Sequence, residues 1–461
     1  MKQGHTSWAY AWLLAGLLAL GPGTGRAQTV LVGASRTYPT LRAAVNAGAV
    51  VSGATVRIDD GTYADVCIIR GLANVTITSA SGRAGGVVFD NAGLGNLALG
   101  GKAIIVVSNS PGFAAVGLWF KNAGLGGSAG VAQQGLGAGN QAGLRFEDLT
   151  SAGTARVSYC AFDGCVTGIF AAPNANQSLV IDHCDFGYER PNGQAQDGYS
   201  HDAYLGEIRA LTCVDNHWYG DPYANNCKTR AATNTISGGY NANSNGRCVE
   251  LPSCGNYAIT GGIYVGAGRG QQPFAYGAEN QNNGTFSGTI SGITLRIGVT
   301  NATIWNNAAG TIMAFSGTTQ EWYGTGTIPL ILRGPGAITG LATSGPARAP
   351  ALPAAPGPVS GIGGGPLAAA VGAPASAGFA VYPTRLGRGA PLRYTLPGAA
   401  PAAGAALELE VWALTGQRLG VHRLGAGATG AVDLPALPVG GYLACLRLSD
   451  GRRLTARFGV E

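Results

Sequence analysis

Arg156-Val-Ser-Tyr-Cys-Ala-Phe162 is matched further along by Leu179-Val-Ile-Asp-His-Cys-Asp-Phe186, with Cys160 and Cys184 separated by 184 − 160 = 24 positions. Each is a short run of strand-forming residues, then a cysteine, then an aromatic two positions on. Ala210-Leu-Thr-Cys-Val214 leads to Trp218 in the same place. Asn74-Val-Thr-Ile-Thr78, Ala103-Ile-Ile-Val-Val107 and Tyr257-Ala-Ile-Thr260 continue the series, each closed by a turn rich in Asn, Gly or Asp. Short strands returning at roughly 20–26 residues are the spacing of a solenoid. One such unit cannot bury its apolar side chains alone, so the units stack around a continuous core. The predicted class is all-β, a coil repeat over residues 28–340. A Greek-key sandwich ranks below it, because the turns are too short for the crossings.

Composition agrees. Glycine makes up 77 of 461 residues and charged residues only 11%, against a usual glycine share of about 7%. Residues 1–27 read as a secretory signal: Lys2 at the start, an apolar run from Trp8 to Leu20, and Gly25-Arg-Ala27 at the end. That run is too short to span a bilayer, and no later stretch approaches the length of a membrane helix. The expected location is secreted or at the cell surface. Removing the signal takes away Lys2 and Arg26, so the formal charge falls from +6 to +4. A mild positive surplus suits an acidic partner, and without a basic run nucleic acid is not expected.

Nine cysteines in an exported chain raise the question of disulfides. Cys248 and Cys254 could close a small loop around Glu250, while Cys160, Cys184 and Cys227 fit inward-facing thiols packed as small apolar groups. No CxxC pair or His/Cys cluster marks a zinc site.

From Leu341 to Gly378 the chain is almost wholly Ala, Pro, Gly and Ser, the composition of a linker. Beyond it, over 379–461, Leu407–Leu414, Gly441–Leu448 and Arg453–Val460 alternate with period two, as the strands of a small β-sandwich would.

Two resemblances follow from quoted residues. Tyr38-Pro-Thr-Leu-Arg-Ala-Ala-Val45, a capping helix, precedes Ala54-Thr-Val-Arg-Ile-Asp-Asp-Gly-Thr-Tyr63, a first strand and turn. Together they resemble the opening of right-handed parallel β-helix proteins of the pectin-lyase type, a likeness covering most of 36–330 that implies a fold and not a reaction. Val381-Tyr-Pro383, Val411-Trp-Ala-Leu-Thr-Gly-Gln417 and Leu437-Pro-Val-Gly-Gly-Tyr-Leu443 resemble the type IX secretion sorting domain. Thr384-Arg385 stands where that family commonly has Asn-Pro. This second resemblance implies type IX secretion machinery as a partner, with export across the outer membrane.

The chemistry concentrates in His201-Asp-Ala-Tyr-Leu-Gly206, Asn226-Cys-Lys-Thr-Arg-Ala231 and Arg247-Cys-Val-Glu-Leu-Pro252. Offsets of 228 − 204 = 24 and 250 − 228 = 22 are each one coil, so Tyr204, Lys228 and Glu250 should stack on one outward face. Arg230 shares that face by strand alternation, and His201 lies near its edge. Phe274-Ala-Tyr-Gly-Ala-Glu279 is the expected next coil, with Tyr276 or Glu279 ending the column. The run also resembles an exported bacterial branch of β-helix proteins, with Lys228-Thr-Arg230 for its usual Lys-Ser-Arg and Glu250-Leu-Pro252 for its Asp-Leu-Pro.

Cation, phenol and carboxylate on one face is chemistry for an acidic polysaccharide. A polysaccharide lyase cleaving a uronic-acid glycan by β-elimination would use Arg230 to clamp the carboxylate, Lys228 as base, Tyr204 or His201 as acid and Glu250 to orient Lys228. Calcium could assist through Asp197, Asp202 and Glu279. A glycoside hydrolase would need two facing carboxylates from Glu250, Asp202, Glu279 and Glu207. A non-catalytic glycan-binding or adhesin solenoid needs only the ladder of charges. Trp218 and Tyr219 are candidates to stack on a sugar ring.

Overall fold

A computed structural model describes residues 28–82, 84–92, 101–123, 141–187, 201–219, 225–243, 246–266, 272–298 and 302–347. It also describes eight further strands and Leu437 between residues 380 and 460. The expected signal at 1–27 and most of the expected linker lie outside the described residues.

Three sheets of 12, 11 and 10 strands run along the body, and successive strands enter them in rotation. Pairing between coils is parallel except at one strand at the far end. The body is a parallel β-helix. It begins one strand earlier than the sequence indicated: Thr29–Val32 precedes Thr55–Ile58, in register from Thr29↔Thr55 to Val32↔Ile58. The expected capping helix is Leu41–Asn46, with the Thr40 hydroxyl accepting a hydrogen bond from the Ala43 N–H at 3.2 Å. At the far end Ser344–Pro346 pairs antiparallel with Thr327–Arg333. Strand pairing of the body therefore continues past residue 340, as far as Pro346.

Inward positions of the coils hold the core. Phe120, Phe162, Phe186 and Trp218 stack in that order, with ring centroids 5.1, 5.0 and 4.1 Å apart and planes within 8°. Each such pair adds about 0.5–1.5 kcal/mol beyond its area burial. Cys160 and Cys184 sit inward one above the other, and the eight cysteines with described side chains are buried and free. A Cys248–Cys254 bridge is not formed, which corrects that expectation.

The corner leaving the 12-stranded sheet requires a left-handed backbone. Tyr159, His183 and Asp215 adopt it at φ 55°, 53° and 48°, and glycines take over at 238, 261, 292 and 317. From Tyr159 to Gly292 each N–H there donates to a carbonyl one coil on, as Tyr159 to Asp182 at 3.0 Å and His183 to Val214 at 2.9 Å. Those bonds offset the cost of the strained conformation.

The chain divides into two compact units between Gly365 and Pro366. The second contains a three-stranded antiparallel sheet and a five-stranded sheet, with strands at Leu407–Ala413, Gly440–Arg447 and Arg453–Val460 close to where alternation placed them. Leu409, Val411 and Ala444 from one sheet and Val432 from the other are buried, as inner faces of a β-sandwich are.

Candidate functional site

The 11-stranded sheet carries the column. Strand His201–Leu205 pairs with Asn225–Thr229, and that strand with Arg247–Leu251, in the registers Tyr204↔Lys228 and Lys228↔Glu250. Ala203, Cys227 and Val249 point into the core. The same register extends both ways, through Phe170 to Arg145 on one side and through Ala275 to Trp305 on the other.

At its start the column is aromatic and cationic. The Arg145 guanidinium lies 3.9 Å from the Phe170 ring centroid, and Phe170 stacks on Tyr204 at 5.4 Å. Arg230 and Lys228 sit over the Tyr204 ring at 4.9 and 5.8 Å. Burial lowers the Arg230 pKa, but Glu279 and the Tyr204 hydroxyl outweigh that effect and raise it.

At its centre the column is ionic and largely enclosed. Lys228 and Arg230 keep only 13% and 15% of their side-chain surface exposed, and Glu250 only 1%. Lys228 Nζ lies 3.5 Å from Glu250 Oε2 and 3.0 Å from Glu279 Oε1. Glu250 is held further by the Arg247 guanidinium and by the Asn225 side-chain amide, which donates to it. Three polar partners offset part of the cost of burying this carboxylate.

The loop after Tyr276 closes over this centre. Arg230 Nε donates to Glu279 Oε2 at 2.9 Å, and Nη2 to both Glu279 oxygens at 2.9 and 2.7 Å. That is the bidentate geometry a guanidinium gives a carboxylate. Burial pushes the Glu279 pKa up, yet Lys228 and Arg230 outweigh it and hold the carboxyl below its ordinary value.

His201 is placed beside the column, its ring stacked on Tyr204 at 4.9 Å. Burial, reinforced by Lys228, pushes its pKa down to about 3. Its Nδ1 accepts the Asn225 N–H at 3.4 Å, so the neutral ring carries its proton on Nε2. Burial therefore favours the neutral ring as a hydrogen-bonding neighbour of the column over the expected acid role.

Three further candidates lie apart from the column. Tyr276 is fully buried, its hydroxyl donating to Gly255 O at 3.1 Å and accepting from Phe286 N at 2.8 Å. Ala275 takes the column position instead. Trp218 is 4% exposed inside the core stack. Tyr219 follows the strand His217–Trp218 in the 10-stranded sheet, where its hydroxyl hydrogen-bonds with His217 Nδ1 at 3.2 Å. Neither joins Lys228.

Of the expected calcium donors, Asp197 lies outside the described residues, Asp202 is fully buried, and Glu279 is occupied by two cations that would repel a third. Among the described residues no group of three or more His, Cys, Asp or Glu is placed to hold a metal.

Sequence reasoning missed a second column beside the first. His201, Asn225, Arg247 and Gln272 stack in register, with Arg247 Nε donating to Gln272 Oε1 at 2.7 Å. The signal was present: 204 − 201, 228 − 225 and 250 − 247 all equal three. Among the described residues, no helix is long and apolar enough to cross a membrane. Compared with known proteins, the chain matches no family model, no curated protein and no solved structure.

Proposed function

We propose that this chain is an exported, carbohydrate-active protein of the pectin-lyase-like β-helix type that holds an acidic glycan on the Tyr204–Lys228–Glu250 column. The observation that carries the reading is the carboxylate of Glu279, gripped by the Arg230 fork and by Lys228. Two cations that hold one carboxylate in this way provide the donor set for the carboxylate of a uronate. The Tyr204 ring and the Arg145–Phe170 stack extend the same face by two coils, giving a strip along which a chain of sugars could lie. The three cations Lys228, Arg230 and Arg247 outnumber the carboxylates Glu250 and Glu279, so the face keeps a positive charge suited to a polyanion.

β-Elimination is the second reading, supported by Lys228, Arg230 and the Tyr204 hydroxyl lying on one face. In that case Arg230 binds the uronate carboxylate, Lys228 removes the C5 proton, and Tyr204 protonates the leaving oxygen. Glu250 and Glu279 engage the Lys228 ammonium from two sides, which favours binding over base chemistry. Hydrolysis is supported least, because the Lys228 ammonium fills the space between the two carboxylates that a glycosidic bond would have to occupy. The C-terminal β-sandwich, through its resemblance to type IX sorting domains, is the proposed address for export.

The test is to incubate the full chain with a panel of uronate glycans, with and without calcium, measuring both binding and the absorbance of unsaturated product. Binding without product supports a glycan-holding role. Product that Lys228→Ala abolishes supports elimination. No binding to any acidic glycan rejects both.

A further inference from the structure

Glu279 reaches Arg230 from 49 positions away in sequence, and its loop is tied down by groups other than its carboxylate. The Glu279 N–H donates to Pro252 O at 2.8 Å, and the Asn283 N–H to Ser253 O at 3.1 Å. Asn283 Nδ2 donates to Arg230 O at 2.6 Å, Asn282 Nδ2 to Glu207 Oε1 at 2.7 Å, and the Ser253 hydroxyl to Asn280 Oδ1 at 3.0 Å. Gly277 and Gly284, at φ 69° and 75°, and Gln281 at 54° shape the turns of this strap. Its backbone is therefore anchored over the column whether or not Glu279 stays on its cations.

The side chain itself is the more exposed partner in the pairing. Glu279 keeps 36% of its side-chain surface exposed, against 13% for Lys228 beside it. A partly exposed glutamate changes rotamer on a picosecond-to-nanosecond scale once its partners release it.

We infer that Glu279 is a resident stand-in for the ligand's carboxylate, and that an acidic sugar enters by displacing this side chain while the strap stays in place. The inference rests on the glycan-holding reading and adds two points to it: which group the ligand competes with, and that exchange needs no loop opening. Arg230 and Lys228 keep a carboxylate partner in both states, so neither cation is left unpaired in a site with little solvent. The same competition sets specificity. A carboxylate sugar replaces the pairing it displaces, whereas a neutral sugar offers nothing in return and leaves Glu279 where it is.

The probes are a homogalacturonate oligosaccharide and its fully methyl-esterified form, titrated into the full-length protein and into Glu279→Gln. Glutamine keeps the shape of the side chain and removes its charge. The expected result is acid-form binding tighter by roughly three- to tenfold in Glu279→Gln, the gain from losing one charge-assisted competitor, with no gain for the ester. Glu279→Asp, charged but too short to span both cations, should fall between the two and separates lost competition from disturbed folding. Amide exchange over residues 277–287 should stay equally protected with and without the acid oligosaccharide. Acid-form binding that is unchanged or weaker in Glu279→Gln overturns the stand-in role while leaving the glycan reading intact. Loss of strap protection on binding overturns exchange by side-chain rotation. Failure of both proteins to bind the acid form overturns the glycan reading together with this one.

Discussion

The same coils present two outward faces of opposite character. On the 12-stranded sheet the in-register outward residues of these coils are Arg156, Val180, Thr212, Thr235 and Ala258, of which only Arg156 is charged. On the 11-stranded sheet the corresponding ladder is Arg145, Phe170, Tyr204, Lys228 and Glu250. Coil stacking asks only for backbone pairing and a filled interior, and the first face meets that demand mostly with hydroxyls and methyls. The second face carries a carboxylate that is 1% exposed, a neutral histidine and two gripped cations. Coil stacking does not require them, and the proposed glycan-holding role rests on this face for that reason.

The largest expected effect contrasts Glu250 with Thr235. Glu250→Ala removes the buried carboxylate from Arg247 and leaves Lys228 with Glu279 alone, and the expected loss is about 3 kcal/mol in urea unfolding, the low end for a broken buried pair. Were it no larger than the loss in Thr235→Ala, the charged face would be an ordinary solvated one.

Acid should act on one face more than the other. His201 has its folded pKa depressed to about 3 from an ordinary 6.5. The unfolded chain therefore takes up its proton first, and stability falls as pH drops below about 6.5 until about pH 3. Glu279 adds to this at lower pH. Its depressed pKa stabilises the fold above its ordinary 4.5, and that contribution is lost as pH falls through the folded value. His201→Gln should flatten the unfolding midpoint between pH 6.5 and about 3, whereas Thr235→Ala should leave the profile unchanged. Identical profiles for His201→Gln and the native chain would remove histidine from the account.

Smaller effects complete the contrast. Arg230→Ala breaks a partly exposed pair while the strap keeps its other bonds, so the expected cost is about 0.5–1 kcal/mol. Acid-glycan binding should nonetheless fall below detection. Thr235→Ala should stay within about 0.5 kcal/mol, the range of surface changes that touch no special feature.

Much of the fold was legible because period and residue type agree. Cys160 over Cys184 and Phe162 over Phe186 repeat both spacing and chemistry, so one alignment fixed the register of many coils. The Tyr204–Lys228–Glu250 ladder followed from that register. Tyr276 was misplaced because the next offset is 275 − 250 = 25; one residue more turns a side chain from the face into the core. Trp218 was offered to a ligand although its own alignment with Phe186 put it in the interior stack. The position of Glu279 over Arg230 was not legible. A strap has no periodicity, and its contacts depend on how three turns bring distant coils together.

The most direct measurement is a crystal structure of the full chain with a homogalacturonate oligosaccharide bound. A uronate carboxylate on the Arg230 fork within about 3 Å, the spacing of a charge-assisted pair, with Glu279 turned away, is the predicted result. Sugar bound elsewhere on the β-helix, with Glu279 still on Arg230, would contradict it.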